Sequence, residues 1–194
     1  MNQYEFGIVG LGVMGRNLLF NMADHHYAVA GLDLDQEKVD ALHKEATSSQ
    51  DVQGRTSAQE FVSLLKTPRA ILLLVPAGKP VDGAIGSLLP YLEKGDIIVD
   101  GGNSFFTDTD RRFKELDEKG IHFFGMGISG GEEGARFGPS MMPGGDKDAY
   151  ERLRPVFEAV AAKVNNEPCV TYMGTGSAGP VSYTHLTLPT ILRV

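Results

Sequence analysis

The sequence contains little cysteine, no tryptophan and no cluster of basic residues. A single cysteine, Cys169, cannot form an internal disulfide, so nothing in the sequence requires an oxidising compartment. The formal net charge is -7, and no run of Lys and Arg appears. Because nucleic-acid-binding proteins neutralise phosphates with clustered basic side chains, the composition argues against a nucleic-acid partner.

Long apolar runs are also missing. The longest, residues 70–75, is far too short to span a bilayer. The N-terminal residues lack the basic start and apolar stretch of a signal peptide. We therefore expect a cytoplasmic protein with no membrane partner, and 194 residues favour a single domain with one sizeable core.

What the sequence has in abundance is glycine, often beside predicted strands. Apolar runs and helical spacing alternate along the chain. They predict strands at residues 4–9, 28–32, 70–75, 97–99, 122–126 and 169–173, and helices at residues 14–22, 36–44, 58–65, 107–119 and 146–160. Ser57 is the predicted cap of the third helix. Unbroken apolar strands are typical of parallel sheets covered on both faces. The alternation predicts an α/β fold with a doubly wound, mostly parallel, Rossmann-like sheet.

A glycine loop joins the first predicted strand to the first predicted helix. It has the spacing G-x-G-x-x-G and consists of Gly10, Leu11, Gly12, Val13, Met14 and Gly15. In this context one glycine makes the turn, one lets the backbone approach a pyrophosphate, and one lets the helix pack on the strand. The alternative is a glycine-rich turn without a ligand. The strand and helix on either side favour dinucleotide binding at the exposed N–H groups of the helix.

An acidic residue is expected at the end of the second strand, where it contacts the ribose hydroxyls of NAD. Asp33 fills that position, with Asp35 as a substitute. A carboxylate there repels the additional phosphate of NADP, and Leu34 follows where an NADP-binding protein often has arginine. These residues favour NAD, although NADP is not excluded. The alternative is that Asp33 or Asp35 only caps the helix beginning near Gln36.

Three later segments are more specific indicators of a protein family than the glycine loop is. They read Asp100-Gly101-Gly102-Asn103-Ser104, then residues 127–136 (GISGGEEGAR), then residues 142–145 (MPGG). Together they resemble 6-phosphogluconate dehydrogenase, in that family's order and without a large gap up to Gly179. The related 3-hydroxyisobutyrate-type dehydrogenases share the opening fold and a serine-glycine-glycine segment, and they are the nearest enzyme alternative. A non-catalytic dinucleotide-binding module is the other alternative.

The first two segments supply candidate ligands for the substrate. Asn103 follows a parallel strand at its carboxyl end, where doubly wound sheets bind ligands, and its amide can both donate and accept. The resemblance implies that it lies between cofactor and substrate; the alternative is an Asn that only caps a turn. Ser129, Gly130 and Gly131 offer a hydroxyl and bare N–H groups, and the resemblance assigns them to substrate binding.

Val75, Pro76 and Ala77 end the apolar strand where the family's corresponding loop contacts the cofactor. Many members of the family carry lysine where this chain has Pro76. Like Leu34, this departure removes positive charge from the expected position of the NADP phosphate. The alternative is that Pro76 simply ends the strand.

The resemblance ends at Gly179. In the family, a long helix follows that carries the catalytic lysine, and an all-helical C-terminal domain forms the homodimer. Residues 180–194 instead contain two prolines and no lysine, so we predict that they are not a version of that helix and that the domain is absent. One choice of codons for residues 180–190 resembles a transposon-end adapter used in sequencing libraries. We therefore hypothesise that these last residues are a translated adapter. The alternative is a divergent native tail, such as an added strand.

The resemblance also implies an activity for the parent enzyme. It oxidises 6-phosphogluconate at the C3 hydroxyl, passes hydride to the nicotinamide and decarboxylates the product to ribulose 5-phosphate, in the pentose phosphate pathway. No metal is required. Because no residue of this chain matches the catalytic lysine, we assign no catalytic residue and expect a dinucleotide-binding domain, residues 1–179, that is inactive alone.

Overall fold

A computed structural model describes the backbone of residues 4–191 and the side chains as far as His185. The strands are β1 (Phe6–Val9), β2 (Val29–Leu32), β3 (Val52–Arg55), β4 (Ala70–Leu73), β5 (Ile97–Asp100), β6 (His122–Ser129), β7 (Ser140–Gly144), β8 (Lys163–Val164) and β9 (Glu167–Pro168). The helices are α1 (Val13–Asp24), α2 (Gln36–Glu45), α3 (Ala58–Leu64), α4 (Lys79–Leu88), α5 (Phe106–Asp117), α6 (Gly131–Phe137), α7 (Lys147–Val160) and α8 (Ala178–Ile191).

Seven of these strands form one sheet in the order β3-β2-β1-β4-β5-β6-β7. The first six are parallel, and only β7 runs antiparallel to its neighbour β6. The chain winds outward from β1 through β2 to β3 and then returns to β4 on the other side of β1. This change of direction opens a crevice at the carboxyl ends of β1 and β4, where doubly wound sheets bind ligands. The predicted fold class is confirmed.

Apolar side chains cover both faces of the sheet. On β4, Leu72 belongs to one core cluster with α1 and α7, whereas Ile71 and Leu73 belong to a second cluster with α3, α4 and α5. Successive side chains of a strand point to opposite faces, so an unbroken apolar run fills both layers. This arrangement explains why residues 70–75 lack polar alternation.

Side-chain caps fix where several helices begin. Asp35 accepts from the Glu37 N–H at 3.0 Å, Ser57 from the Glu60 N–H at 3.5 Å, and Asp146 from the Ala149 N–H at 2.7 Å. Each cap satisfies an N–H that has no partner within the helix. The cap predicted at Ser57 is therefore present.

One sequence prediction and one alternative interpretation of the C-terminal part were wrong. Residues 169–173 form no strand; Val170 makes only an isolated bridge to Met141, and Gly174 one to Gly144. Residues 178–191 form the helix α8, not the added strand that was the alternative for this tail. Pro180 lies in the first turn of α8, where a missing N–H costs no hydrogen bond, so proline does not prevent a helix there.

Helix α8 packs closely on the sheet because two glycines of β6 leave room for it. A Cβ on Gly125 would stand 2.8 Å from Pro180, and one on Gly127 would stand 2.6 Å from Tyr183. The predicted domain boundary after Gly179 therefore falls within the first turn of a packed helix. Within residues 4–191, no helix combines the length and apolar character needed to cross a membrane.

Candidate functional site

The glycine loop lies at the carboxyl end of β1. Gly10 has φ +95°, a conformation that other residues rarely adopt, and a Cβ there would overlap the Leu74 carbonyl. A Cβ on Gly15 would overlap the Gly10 carbonyl, so α1 can approach the loop only because this residue is glycine. Gly12, at the N-cap of α1, has no atom within 4 Å of its Cβ position. The loop is thus tightly packed at Gly10 and Gly15 and open at Gly12.

The remaining loop residues divide between core and surface. Leu11 is fully buried, Met14 is partly buried, and Val13 is half exposed at the start of α1. The side chain of Leu11 faces the core, so what this residue offers toward the crevice is backbone. Backbone N–H groups at a helix start are the donors that bind phosphate.

Asp33 connects the end of β2 to the glycine loop. Its Oδ2 accepts a hydrogen bond from the Leu11 N–H at 2.7 Å, and its Oδ1 accepts from the Asp35 N–H at 3.0 Å. Only 11% of the Asp33 side chain is exposed. The cap of α2 is Asp35, as one sequence alternative held, whereas Asp33 has a separate role in fixing the loop.

Lys38 was missed by the sequence reasoning. Its Nζ lies 3.3 Å from Asp33 Oδ1, and 42% of its side chain remains exposed. The signal available was a lysine in the first turn of α2, one turn after Asp33, but the sequence does not show that it turns back toward the carboxylate. The site therefore contains a cation beside Asp33, despite Leu34 and Pro76.

A cavity of about 640 Å³ opens between the glycine loop and α4. Five of the predicted cofactor residues line it: Gly10, Gly12, Asp33, Val75 and Pro76. Other lining residues include Leu34, Lys38, Pro80, Gly83 and Ala84. Leu34 is 90% exposed at its rim. The cavity is large enough for a small-molecule ligand and carries its charged groups, Asp33 and Lys38, on the β2 side. The other six predicted cofactor residues do not line it: Leu11, Val13, Met14, Gly15, Ala77 and Asn103.

Asn103 lies in the adjacent loop, which follows β5. It is exposed and has φ +61°, in the left-handed region. The N-cap of α5 is Phe105, so Asn103 does not cap that helix. A Cβ on Gly102 would overlap the Val75 carbonyl, which shows how closely this loop approaches the end of β4.

The Ser129 segment follows the neighbouring strand. Ser129 ends β6, Gly130 has φ +140°, and α6 begins at Gly131; all three residues are exposed. A Cβ on Gly101 would stand 2.9 Å from Ile128, so the start of the β5 loop lies close to the end of β6. The fold therefore brings Val75, Asn103 and Ser129 to one edge of the sheet, on three consecutive strands.

Two glutamates follow that segment in the first turn of α6. Glu132 and Glu133 are exposed. Arg136, a partner considered for them, instead pairs with Asp24 of α1 at 2.5 Å. Within the described part of the chain, no three His, Cys, Asp or Glu side chains group as metal ligands.

The comparisons with known proteins agree with this geometry. A family model described as the NAD binding domain of 6-phosphogluconate dehydrogenase matches residues 5–174. The decarboxylating 6-phosphogluconate dehydrogenase of Chlamydia pneumoniae is 51% identical over 177 residues, which are 91% of this chain and 37% of the relative. The NADP(+)-dependent, decarboxylating enzyme of Bacillus subtilis is 50% identical over 179 residues, 92% of this chain and 38% of the relative.

Solved structures show the same relationship. A Plasmodium falciparum 6-phosphogluconate dehydrogenase, from a study of its apo form and its NADP+ and 6-phosphogluconate complexes, superposes with a TM-score of 0.87 at 37% identity. The match covers 98% of this chain and 44% of that one. A Mycobacterium tuberculosis 3-hydroxyisobutyrate dehydrogenase superposes with a TM-score of 0.83 over 97% of this chain and 60% of that one, but its 22% identity shows only a shared fold.

The chain spans little more than a third of the length of the curated relatives that it matches. Within that third the family match covers the glycine loop, the Asn103 loop and the Ser129 segment. The chain belongs to the family of NAD binding domains of 6-phosphogluconate dehydrogenase.

Proposed function

We propose that this chain supplies the dinucleotide-binding part of a decarboxylating 6-phosphogluconate dehydrogenase. The observation that carries the proposal is the bare backbone at Gly12, which borders a cavity of about 640 Å³ at the start of α1. A pyrophosphate needs this combination of close approach and unpaired helix N–H groups. Residues 10–15 would hold the pyrophosphate, Asp33 the ribose, and residues 75–77 with Asn103 the remaining length of the cofactor.

The bound nicotinamide would accept a hydride from the C3 carbon of 6-phosphogluconate, while the C3 hydroxyl would lose its proton to a base outside this chain. The residues of this chain would orient the two molecules: Asn103 from the β5 loop, and Ser129, Gly130 and Gly131 from the β6 loop. All four are exposed at the same edge of the sheet. No described residue is assigned to proton transfer, so we propose that this chain binds dinucleotide but does not catalyse the reaction alone.

We further propose that the cofactor is NAD. We expect the extra phosphate of NADP to approach the largely buried carboxylate of Asp33, and like charges in such a site repel strongly. Lys38 opposes this preference because its ammonium group is 3.3 Å from the carboxylate. Since Asp33 is 11% exposed and Lys38 42%, the carboxylate is the less screened charge and dominates.

Residues 180–194 are proposed to be foreign to the domain, and the parent enzyme is proposed to be a cytoplasmic homodimer formed by a further helical domain. The genomic sequence that follows the codon for Gly179 tests the first point. If the codons for residues 180–194 continue an upstream native gene, the adapter hypothesis is wrong.

A hybrid enzyme tests the proposed activity. Residues 1–179 would replace the matching part of the Bacillus subtilis relative, whose remaining sequence supplies the missing two thirds. We expect reduction of NAD that depends on 6-phosphogluconate and not on 3-hydroxyisobutyrate, together with no turnover by the 194-residue chain.

The Asn103→Ala hybrid is the control, because it removes the amide proposed to lie between the two molecules while leaving Asp100 and Ser104 in place. Activity with 3-hydroxyisobutyrate would favour the related dehydrogenases. A folded, dimeric hybrid that binds NADH and turns over neither compound would favour a non-catalytic binding module.

A further inference from the structure

Arg112 of α5 is a buried cation directly behind the site. Its side chain is 1% exposed and uses all three guanidinium nitrogens. Nε donates to Asp82 Oδ1 at 2.8 Å, and Nη2 donates to the Gly78 carbonyl at 3.0 Å. Nη1 donates to Ser104 Oγ at 2.9 Å and to Asp100 Oδ2 at 3.2 Å. One side chain therefore joins α4, α5 and the loop after β5.

Two of these partners fix the wall of the cavity. Gly78 precedes α4, and Asp82 lies in its first turn. The same helix lines the cavity through Pro80, Gly83 and Ala84. The hydrogen bond from Arg112 lowers the pKa of Asp82, so this carboxylate stays charged at neutral pH and remains a strong acceptor. A shift of Arg112 would displace the start of α4 toward or away from the ligand.

The other two partners fix the Asn103 loop. Asp100 and Ser104 stand on either side of residues 101–103, and both are buried. Ser104 Oγ donates to Asp100 Oδ2 at 2.6 Å, and the Gly102 N–H donates to Asp100 Oδ1 at 2.9 Å. These bonds close a short turn that holds Asn103 at φ +61°. Arg112 supplies the charge that balances the buried Asp100 carboxylate.

A second buried arginine offers a matched comparison at the opposite edge of the sheet. Arg69 precedes β4 and is 7% exposed, and its Nη1 donates to the buried Asp96 at 2.9 Å, just before β5. Arg112 thus pairs with Asp100 at the end of β5, and Arg69 pairs with Asp96 directly before β5. Arg112 lies at the carboxyl ends beside the cavity, whereas Arg69 lies at the amino ends, away from it. A purely structural role would make the two equivalent.

We propose that Arg112 is a positioning residue for dinucleotide binding, which holds the start of α4, a wall of the cavity, in register with the adjacent Asn103 loop. This inference rests on the proposed dinucleotide site. A buried ion pair is weak evidence for net stability, because the cost of removing charges from water offsets their attraction. The location of Arg112 between one wall of the cavity, α4, and the adjacent Asn103 loop points to alignment as its role.

The test compares Arg112→Met with Arg69→Met in the 194-residue chain. NADH fluorescence titration gives the dissociation constant, and urea unfolding gives the stability of each variant. Because small displacements of a binding wall weaken binding strongly, we expect Arg112→Met to raise the dissociation constant about tenfold or more. Arg69→Met should lower stability comparably and leave the dissociation constant within about twofold, since the wall is untouched.

Two milder variants keep the test decisive if Arg112→Met does not fold. Ser104→Ala removes one contact of the turn, and Arg112→Lys keeps the charge but cannot reproduce the forked geometry. Both should weaken NADH binding by smaller factors while circular dichroism shows a folded domain. Unchanged NADH affinity in both variants would overturn the inference. An equal loss of NADH affinity in Arg112→Met and Arg69→Met would also overturn it. If the unsubstituted chain binds no NADH, the proposed function itself fails, and this inference with it.

Discussion

At the scale of single residues, Gly12 and Gly15 belong to one loop but have different surroundings. Gly12 has open space at its Cβ position, whereas a Cβ on Gly15 would overlap the Gly10 carbonyl. The sequence pattern predicts one glycine that leaves room for a ligand and one that leaves room for the helix, and the structure identifies them as Gly12 and Gly15.

This difference predicts opposite results for two alanine substitutions. Gly12→Ala should leave the free energy of unfolding nearly unchanged and raise the NADH dissociation constant about tenfold, equivalent to about 1.4 kcal/mol. Gly15→Ala should lower the free energy of unfolding by about 1–3 kcal/mol, because the methyl group forces the backbone apart. Urea denaturation and NADH titration measure the two effects. Loss of stability in Gly12→Ala would contradict the assignment of this residue to the ligand.

Asp33 carries the predicted cofactor preference. Asp33→Asn keeps an oxygen that can accept from the Leu11 N–H but removes the negative charge. The ratio of the NADPH to the NADH dissociation constant should therefore fall by about tenfold or more, because a repulsive charge is gone. Lys38→Met is the opposite control and should raise that ratio. An Asp33→Asn chain that still prefers NADH to the same degree would show that the preference has another source.

At the scale of elements, the sequence predicts parts that depend on local chemistry. Ser57 is a cap in sequence and in structure, and the apolar run at residues 70–75 contains β4. The sequence does not predict structure that depends on contacts between residues distant in the chain. Residues 169–173 read as a strand, but most of their hydrogen bonds go to the edge of β7 without a continuous ladder. Lys38 reads as an ordinary surface lysine, because its proximity to Asp33 depends on how α2 leaves β2.

The packing of α1 against α6 links the cofactor loop to the Ser129 segment. Asn21 of α1 is 2% exposed, and its Nδ2 donates to the carbonyls of Ala135 and Val160, each at 3.1 Å. Ala135 lies in α6 and Val160 is the last residue of α7, so this one amide joins three helices. No sequence pattern indicated this residue, since its partners are more than 100 positions away.

Replacing Asn21 should therefore weaken the domain as a unit. Asn21→Ala leaves two buried carbonyls without their donor, which should cost about 1–3 kcal/mol of unfolding free energy. Urea denaturation measures this loss, and Asn17→Ala, one turn earlier on an exposed part of α1, is the control. Equal stabilities of the two variants would show that water replaces the Asn21 amide without cost.

At the scale of the whole molecule, the proposed ligand-binding loops lie along one edge of the sheet. Three loops at the carboxyl ends of β1, β4 and β5 border or adjoin the cavity, and the Ser129 segment extends the same edge toward β6. Helix α8 closes the sheet over Gly125 and Gly127. The curated relatives are more than twice as long as this chain, and the matched third contains the NAD binding domain.

Titration of the isotope-labelled 194-residue chain with NADH, followed by amide NMR, tests the central claim most directly. We predict saturable shifts of the amide signals of Gly10, Leu11 and Gly12 in the glycine loop and of Gly102 in the adjoining loop after β5. Gly95 and Gly120, before β5 and β6 at the opposite edge of the sheet, should not move. Saturable shifts confined to that opposite edge, or none at the glycine loop with NADH in excess, would contradict it.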